Sequence, residues 1–203
     1  MTPSGTGRRA EYAAATRQAI LLAARQLFTE RGYFETRVED IARAARVASP
    51  TVYAAVGGKS GLLRTLIEDG VRAAESGDIY ERIAAQADAD ELLGMIVGGT
   101  RNEFEKWAPL MRQAMAAAPQ DAGIRETVNT AHASLRQGLD AVATRLGELD
   151  ALRPDVSVER AADILWYFLN NASYFALLDD RHWSLDQAVG WLHECLNSAL
   201  LPR

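Results

Sequence analysis

The sequence predicts an all-α protein built from a short N-terminal helical unit and a larger helical domain behind it. Three observations carry that prediction. Apolar residues recur with a 3.6-residue period along nearly the whole chain. No stretch sustains a period of two. Gly, Pro and Ser/Thr interrupt the pattern where helices of ordinary length would begin and end. With 48% hydrophobic residues over 203 positions, the chain carries enough apolar surface for a sizeable core, which excludes disorder as a description of the whole.

Residues 1–10 (MTPSGTGRRA) lack periodicity and read as an irregular tail. Ile20, Ala23, Ala24, Leu27 and Phe28 form the stripe of a first helix. Arg31-Gly32 ends it, since glycine past a last turn takes the left-handed conformation freely. Thr36-Arg37-Val38-Glu39 reads as a capping box opening a second helix, with Val38, Ile41, Ala42 and Ala45 inward. After a link at 46–48, Ser49 serves as N-cap and Pro50 as the first residue of a third helix, which Gly57-Gly58 stops. A fourth helix runs from about Lys59 to Glu75. Further helices are expected near 79–87, 90–107, 109–118, 121–148, 157–179 and 184–200, separated at Trp107–Pro109, Ala118-Pro119, Arg153-Pro154 and Asp179–Trp183. Gly98-Gly99, inside a periodic run, marks a kink or close packing. The expected organisation is a tail over 1–10, a first domain over 11–58 and a second over 59–203.

Charge is unevenly distributed. The chain is net −5, yet residues 1–64 hold ten Lys+Arg against five Asp+Glu, net +5, and residues 65–203 hold twelve against twenty-two, net −10. Electrostatic attraction acts over about 10 Å in ordinary salt, so the basic end can meet a polyanion although the whole is acidic. The lone Cys195 excludes an internal disulfide framework and a four-thiolate metal site, and suits a reducing compartment. No apolar run approaches the roughly 20 residues of a membrane span, and residues 1–17 hold no signal-peptide-like apolar segment. A cytoplasmic protein without membrane contact is the expectation.

The block Thr36–Val56 pairs two short helices across a three-residue link, the dimensions of a helix-turn-helix. An exposed helix fits the DNA major groove, about 12 Å wide, and free N–H groups at its start suit phosphate. Val52 and Val56 face inward in this pattern, leaving Ser49, Thr51, Tyr53 and Ala54 outward. A tight pair of core helices with no ligand is the other reading of the same block.

The run Ala13–Leu66 resembles the N-terminal domain of tetracycline-repressor (TetR) type regulators. The shared features are Ala24, Leu27-Phe28, Arg31-Gly32-Tyr33, Thr36-Arg37-Val38, Ile41-Ala42, Val47, Thr51-Val52-Tyr53, Gly57-Gly58-Lys59 and Leu62-Leu63. Ala151–Leu178 with Trp183-Ser184 resembles an actinobacterial-type branch of that family, while residues 77–150 resemble nothing specific. The resemblance implies an N-terminal three-helix helix-turn-helix DNA-binding domain and a C-terminal helical ligand-binding and dimerisation domain. It also implies that Thr36, Thr51, Tyr53 and Lys59 contact DNA phosphates and that Ser49, Pro50 and Ala54 face base edges. Two positions depart from the family pattern. Arg46 stands where glycine is frequent, which implies a left-handed backbone at about 1 kcal/mol and adds a cation near DNA. Ala48 stands where a capping serine is usual. Arg8 and Arg9 are a candidate arm toward DNA or a solvated tail.

In the acidic remainder, the expected helix 157–179 is apolar on more than one side and must bury both. With 184–200 it would form a two-fold, four-helix homodimer interface, as the resemblance also implies. Met95, Asn102, Phe104, Trp107, Met111, Met115, Asn129, His132, Trp166, Asn170 and Tyr174 combine aromatic, thioether and polar groups suited to a small-molecule effector. The same residue types also fill ordinary helical cores. The acidic balance of this part favours a cationic lipophilic ligand.

Other signals are dismissed. Gly58-Lys59-Ser60 resembles a phosphate loop, but Tyr53 occupies the first glycine position and no strand precedes it. His193 and Cys195 point about 200° apart on a helix, wrong for a shared metal. Asn171-Ala172-Ser173 matches a glycosylation acceptor inside an apolar helix. No catalytic arrangement, cofactor or metal site is expected. The sequence reads as a ligand-responsive DNA-binding transcriptional regulator, a homodimeric repressor released from a palindromic double-stranded operator by a small molecule. The alternative is a helical small-molecule binding protein or enzyme whose N-terminal helices are only structural.

Overall fold

A computed structural model describes residues 5–75 and 78–202, and every regular element among them is helical. The order is α1 (Gly5–Arg31), α2 (Val38–Ala44), α3 (Ser49–Val56), α4 (Gly58–Glu75), α5 (Ile79–Ala85), α6 (Ala89–Ala117), α7 (Ala122–Glu148), α8 (Val158–Leu169), α9 (Asn171–Phe175), a π-helical turn (Ala176–Asp180) and α10 (Leu185–Leu200). The chain packs as two compact units, Met1–Gly70 with Pro109–Asn129, and Val71–Ala108 with Thr130–Arg203. The expected boundary after residue 58 falls inside the first of these.

In the first unit, the α1 stripe Ile20, Ala24, Leu27 and Phe28 is buried, as are Val38, Ile41 and Ala42 of α2 and Val52 of α3, and the three helices contact one another pairwise. Leu62, Leu63, Leu66 and Ile67 of α4 are buried too, with Leu110, Met111, Ala114 and Ile124 from the segments that join this unit. The second unit has one core of Leu92, Leu93, Ile96, Val97, Leu139, Val142, Leu146, Leu165 and Leu196. A smaller one is formed by Phe104, Ala108, Tyr174 and Leu192.

Several elements differ from the sequence reading. Helix α1 begins at Gly5, so residues 5–10 of the expected tail are helical, while residues 1–4 lie outside the described residues. From Arg8 to Gln18 nearly every side chain is exposed, so tertiary packing gives this stretch no apolar stripe to betray it. The two helices expected at 90–107 and 109–118 are one, with Pro109 inside. A mid-helix proline costs about 3 kcal/mol, and burial of Ala108, Leu110, Met111 and Ala114 around it offsets that loss. Conversely, the expected helix 157–179 breaks at Asn170, whose extended backbone (ψ 162°) ends α8 and starts α9. Gly98 and Gly99 are not closely packed, since an added Cβ would meet nothing within 4 Å. Among the described residues no helix is long and apolar enough to cross a membrane.

Candidate nucleic-acid interface

The local chemistry of α2 and α3 sets which side chains face outward. Helix α2 starts at Val38 with Arg37 in the N-cap position and no side-chain cap, so the expected capping box at Thr36 is not formed. Thr36 is instead 1% exposed, its hydroxyl donating to the Gly32 carbonyl at 2.7 Å and, more weakly, to that of Leu27 at 3.4 Å. Thr36, expected as a phosphate contact, is thus placed with its hydroxyl turned into the protein. The hydroxyl satisfies carbonyls at the end of α1 and is not free to reach a ligand. Arg37 was not singled out from the sequence. An exposed cation at a helix start is disfavoured by the helix dipole, and that misfit was the available signal.

The turn into α3 carries Arg46 at φ 58°, the left-handed conformation expected where a glycine is replaced. Ala48, extended at φ −79°, is the N-cap and offers no capping group, so α3 begins at Ser49, one residue earlier than the capping argument placed it. The missing cap weakens the helix by about 1 kcal/mol. At the other end Gly57 is left-handed (φ 75°) and its N–H bonds to the Tyr53 carbonyl at 2.8 Å.

Between these turns only Val52 of α3 is buried. Val56, expected inward, is half-buried, as are Ser49 and Thr51, while Pro50, Tyr53 and Ala54 are exposed. The last three lie at i, i+3 and i+4 and form one outward face. Tyr53 is 55% exposed, yet its ring lies against Gly58, where an added Cβ would come 2.8 Å from Cε1. The phenol is thus held by one side of its ring and offers its hydroxyl outward.

Lys59 sits at the start of α4, half-buried. Its Nζ donates to the Tyr33 carbonyl at 2.9 Å and the Phe34 carbonyl at 3.3 Å and lies 4.4 Å from the Tyr33 ring centroid. Burial lowers the affinity of this amine for its proton, opposed by the charge of Glu35. Two of its three donors are engaged within the chain. The neighbouring Gly61 was also missed. A Cβ there would fall on the Val56 carbonyl oxygen, far inside the 3.0 Å that real Cβ atoms respect, so α4 can approach the end of α3 this closely only without a side chain. Ser60 Oγ donates to Asp121 Oδ2 at 2.6 Å, and Asp121 Oδ1 accepts from the Ile124 N–H at 3.0 Å. These bonds hold the Asp121 carboxyl below the usual carboxylate range. The Tyr33 N–H likewise donates to Gln113 Oε1 at 3.0 Å.

The expected effector residues are divided between the two units. Met111, buried, and Met115, half-buried, belong to the same unit as α1–α3, whereas Asn102, Trp107, His132, Trp166, Asn170 and Tyr174 belong to the other. Asn102 is exposed and Trp107 half-buried. Asn170 is occupied structurally, its Oδ1 accepting from the Ala172 and Ser173 N–H groups and its Nδ2 donating to the Trp166 and Tyr167 carbonyls. Tyr174 is 1% exposed, stacked on Phe104 and bonded to Thr100 at 3.0 Å, which makes it core. His132 and Trp166 do meet, with ring centroids 5.5 Å apart. A groove of about 740 Å³ runs along α1 and the end of α2, lined by Leu22, Arg25, Gln26 and Arg46 among others, and none of the expected effector residues lines it.

Residues 20–66 match the family model for bacterial regulatory proteins of the tetR family. The fold is that of the TetR-family transcriptional regulators. Solved structures agree over most of the chain. One, from Saccharomonospora viridis and described as a transcriptional regulator in complex with choline, is 21% identical, with 92% of this chain and 98% of that chain covered at a TM-score of 0.77. SmeT in complex with triclosan is 19% identical over 93% of this chain and 92% of its own, at 0.72. FadR from Bacillus subtilis in complex with stearoyl-CoA is 20% identical over 88% and 96%, at 0.67. None of the curated proteins compared with the chain matches it. In the TetR fold so defined, Pro50, Tyr53 and Ala54 occupy the outward side of the second helix of the helix-turn-helix.

Proposed function

We propose that the protein is a ligand-responsive transcriptional regulator, a homodimeric repressor that grips a palindromic operator through α3 and leaves it when a small molecule binds. One observation carries this reading: α3 is anchored by the single buried side chain Val52 between two left-handed turns, with Pro50, Tyr53 and Ala54 turned outward. In this arrangement Tyr53 and Thr51 contact phosphates, Ser49, Pro50 and Ala54 face base edges, and Arg46, Arg37 and the remaining donor of Lys59 add positive charge at the rim. No long Arg or Gln stands at the centre of the outward face, so base readout rests on small contacts and on DNA shape.

The dimer would form through α8 and α10. Tyr167 is 69% and Trp191 40% exposed, and Trp191 makes edge contacts with Phe168 and Trp183, an aromatic surface suited to a two-fold partner. The likeness of residues 151–178 and 183–184 to an actinobacterial-type branch belongs to this proposal. Two copies of α3 would then enter grooves one helical turn apart, about 34–36 Å. The test is selection of bound fragments from genomic DNA with the purified full chain, followed by a screen for compounds that release them. Specific retention lost in Tyr53→Ala is the expected result. Equal affinity for all duplexes, or none, refutes the reading.

A further inference from the structure

The stripe of α7 that faces the second unit's core runs through positions 132, 135, 139, 142, 143 and 146. Leu139, Val142, Ala143 and Leu146 are fully buried, while Leu135 and His132, one and two turns earlier, are only half-buried. There the core loses its apolar character. His132 Nε2 is buried and has no hydrogen-bond partner, a costly condition that native structures keep for a reason. The His132 ring packs edge-on against Trp166 at 5.5 Å, and the Arg136 guanidinium lies over the same indole at 5.0 Å. Arg136 is exposed, and among the described residues no carboxylate pairs with it.

From this cluster we infer that His132, Arg136 and Trp166 recognise the effector, and that the effector is an amphiphile with a carboxylate-like anionic head. The inference rests on the reading of the protein as an effector-responsive regulator and deepens it by naming the ligand class. The sign of the local field decides the class. Burial and the nearby Arg136 charge both push the His132 imidazole toward its neutral form, and no carboxylate offsets them. An arriving cation would meet the guanidinium, which no carboxylate among the described residues pairs within ion-pair distance. A carboxylate gains a charge-assisted pair with Arg136 and, with the imidazole proton on Nε2, a donor from His132. Trp166 supplies a flat apolar wall for the body of the ligand. The local charge thus opposes the cationic preference that the acidic composition implied, and it sets this site apart from a choline-type ligand.

The experiment titrates the full-length protein by tryptophan fluorescence with three probes of one apolar body: 4-phenylbutyrate, 4-phenylbutanol and 4-phenylbutyl-trimethylammonium. The acid is expected to bind about tenfold or more tighter than the other two, and Arg136→Gln to bring it to the affinity of the alcohol while leaving the alcohol unchanged. His132→Phe, which keeps an apolar ring against Trp166, is expected to weaken the acid several-fold, about three or more. If the ammonium or the alcohol binds as tightly as the acid, or if Arg136→Gln changes nothing, the anionic class is overturned while effector binding stands. If none of the three binds, the site itself is overturned, and the regulator reading is then judged separately by retention of genomic DNA.

Discussion

Lys59 separates two readings of the same side chain. As a phosphate contact, its ammonium adds affinity for every duplex. As an internal tie, it stabilises the turn between α1 and α2. Lys59→Met keeps most of the apolar stem and removes the charge. The structure gives the ammonium one good and one long bond to carbonyls, at 2.9 and 3.3 Å, and a ring at 4.4 Å. Hydrogen bonds to a charged group and a cation–π contact of this kind nominally sum to about 3 kcal/mol, which solvent exposure reduces to roughly 2. Burial of the amine lowers its proton affinity, so desolvation takes back part of this and leaves a net loss of about 1 kcal/mol for the variant. In a chain of this size that is a drop of about 2–4 °C in Tm. One donor remains for phosphate, so the slope of log affinity against log salt should fall by about 0.9. Thermal unfolding checks the first number and DNA titration across salt concentrations checks the second. Unchanged Tm with a lowered slope would refute the tie, and the reverse would refute the phosphate contact.

Gly61→Ala should be the most damaging small substitution in the unit that carries α3. The new methyl meets the Val56 carbonyl, and relieving that overlap separates α3 from α4, at about 1–3 kcal/mol of stability by denaturant midpoint together with loss of DNA binding. Tyr167→Ser combined with Trp191→Ser should shift the chain toward monomers in sedimentation while leaving its helical circular dichroism intact, because Tyr167 is 69% and Trp191 40% exposed in the single chain. The Asp121 carboxyl is held below its unfolded value, so its contribution to stability is complete above about pH 4 and is lost as pH falls through the lower folded value. Asp121→Asn should therefore lower stability at neutral pH and flatten its decline below pH 4, as read by denaturant melts across pH.

The sequence made the first unit legible because its signals are local. The stripe from Ile20 to Phe28 and the Gly57-Gly58 stop each act within a few residues of where they are written, whereas the left-handed backbone at Arg46 was implied only by the family resemblance. What failed depends on partners distant in sequence. Thr36 resembles a cap, but carbonyls at the end of α1 claimed its hydroxyl. Pro109 resembles a helix break, but burial on either side of it carried the helix through. Asn170 resembled a polar group lining a pocket, and its amide proved to match the needs of two helix ends at once. Gly61 gave no sign at all, since the close approach that requires it is visible only once α3 and α4 are placed. Composition identifies residues suited to a ligand, and only packing separates Tyr174, bonded within a closed core, from His132, whose buried Nε2 has no hydrogen-bond partner.

The compact unit that carries α3 also contains residues 109–129, the end of α6 and the start of α7. Among the bonds that tie those stretches to it are Gln113 to the Tyr33 N–H and Asp121 to Ser60. Helices α6 and α7 continue beyond it, and α7 carries His132 and Arg136 one to two turns past Asn129. Under the regulator reading, a ligand that shifts α7 pulls on the base of α4 through Asp121. A charge-assisted bond of this kind is worth about 1–2 kcal/mol after allowance for exposure, the same size as a typical coupling free energy. Ser60→Ala should therefore leave DNA affinity and ligand affinity each nearly intact when measured alone, and reduce the factor by which one weakens the other. Linkage requires that factor to be equal in both directions, so it is measured twice, as ligand affinity with and without saturating operator and as operator affinity with and without ligand. A coupling factor unchanged by Ser60→Ala would show that the signal travels by another route.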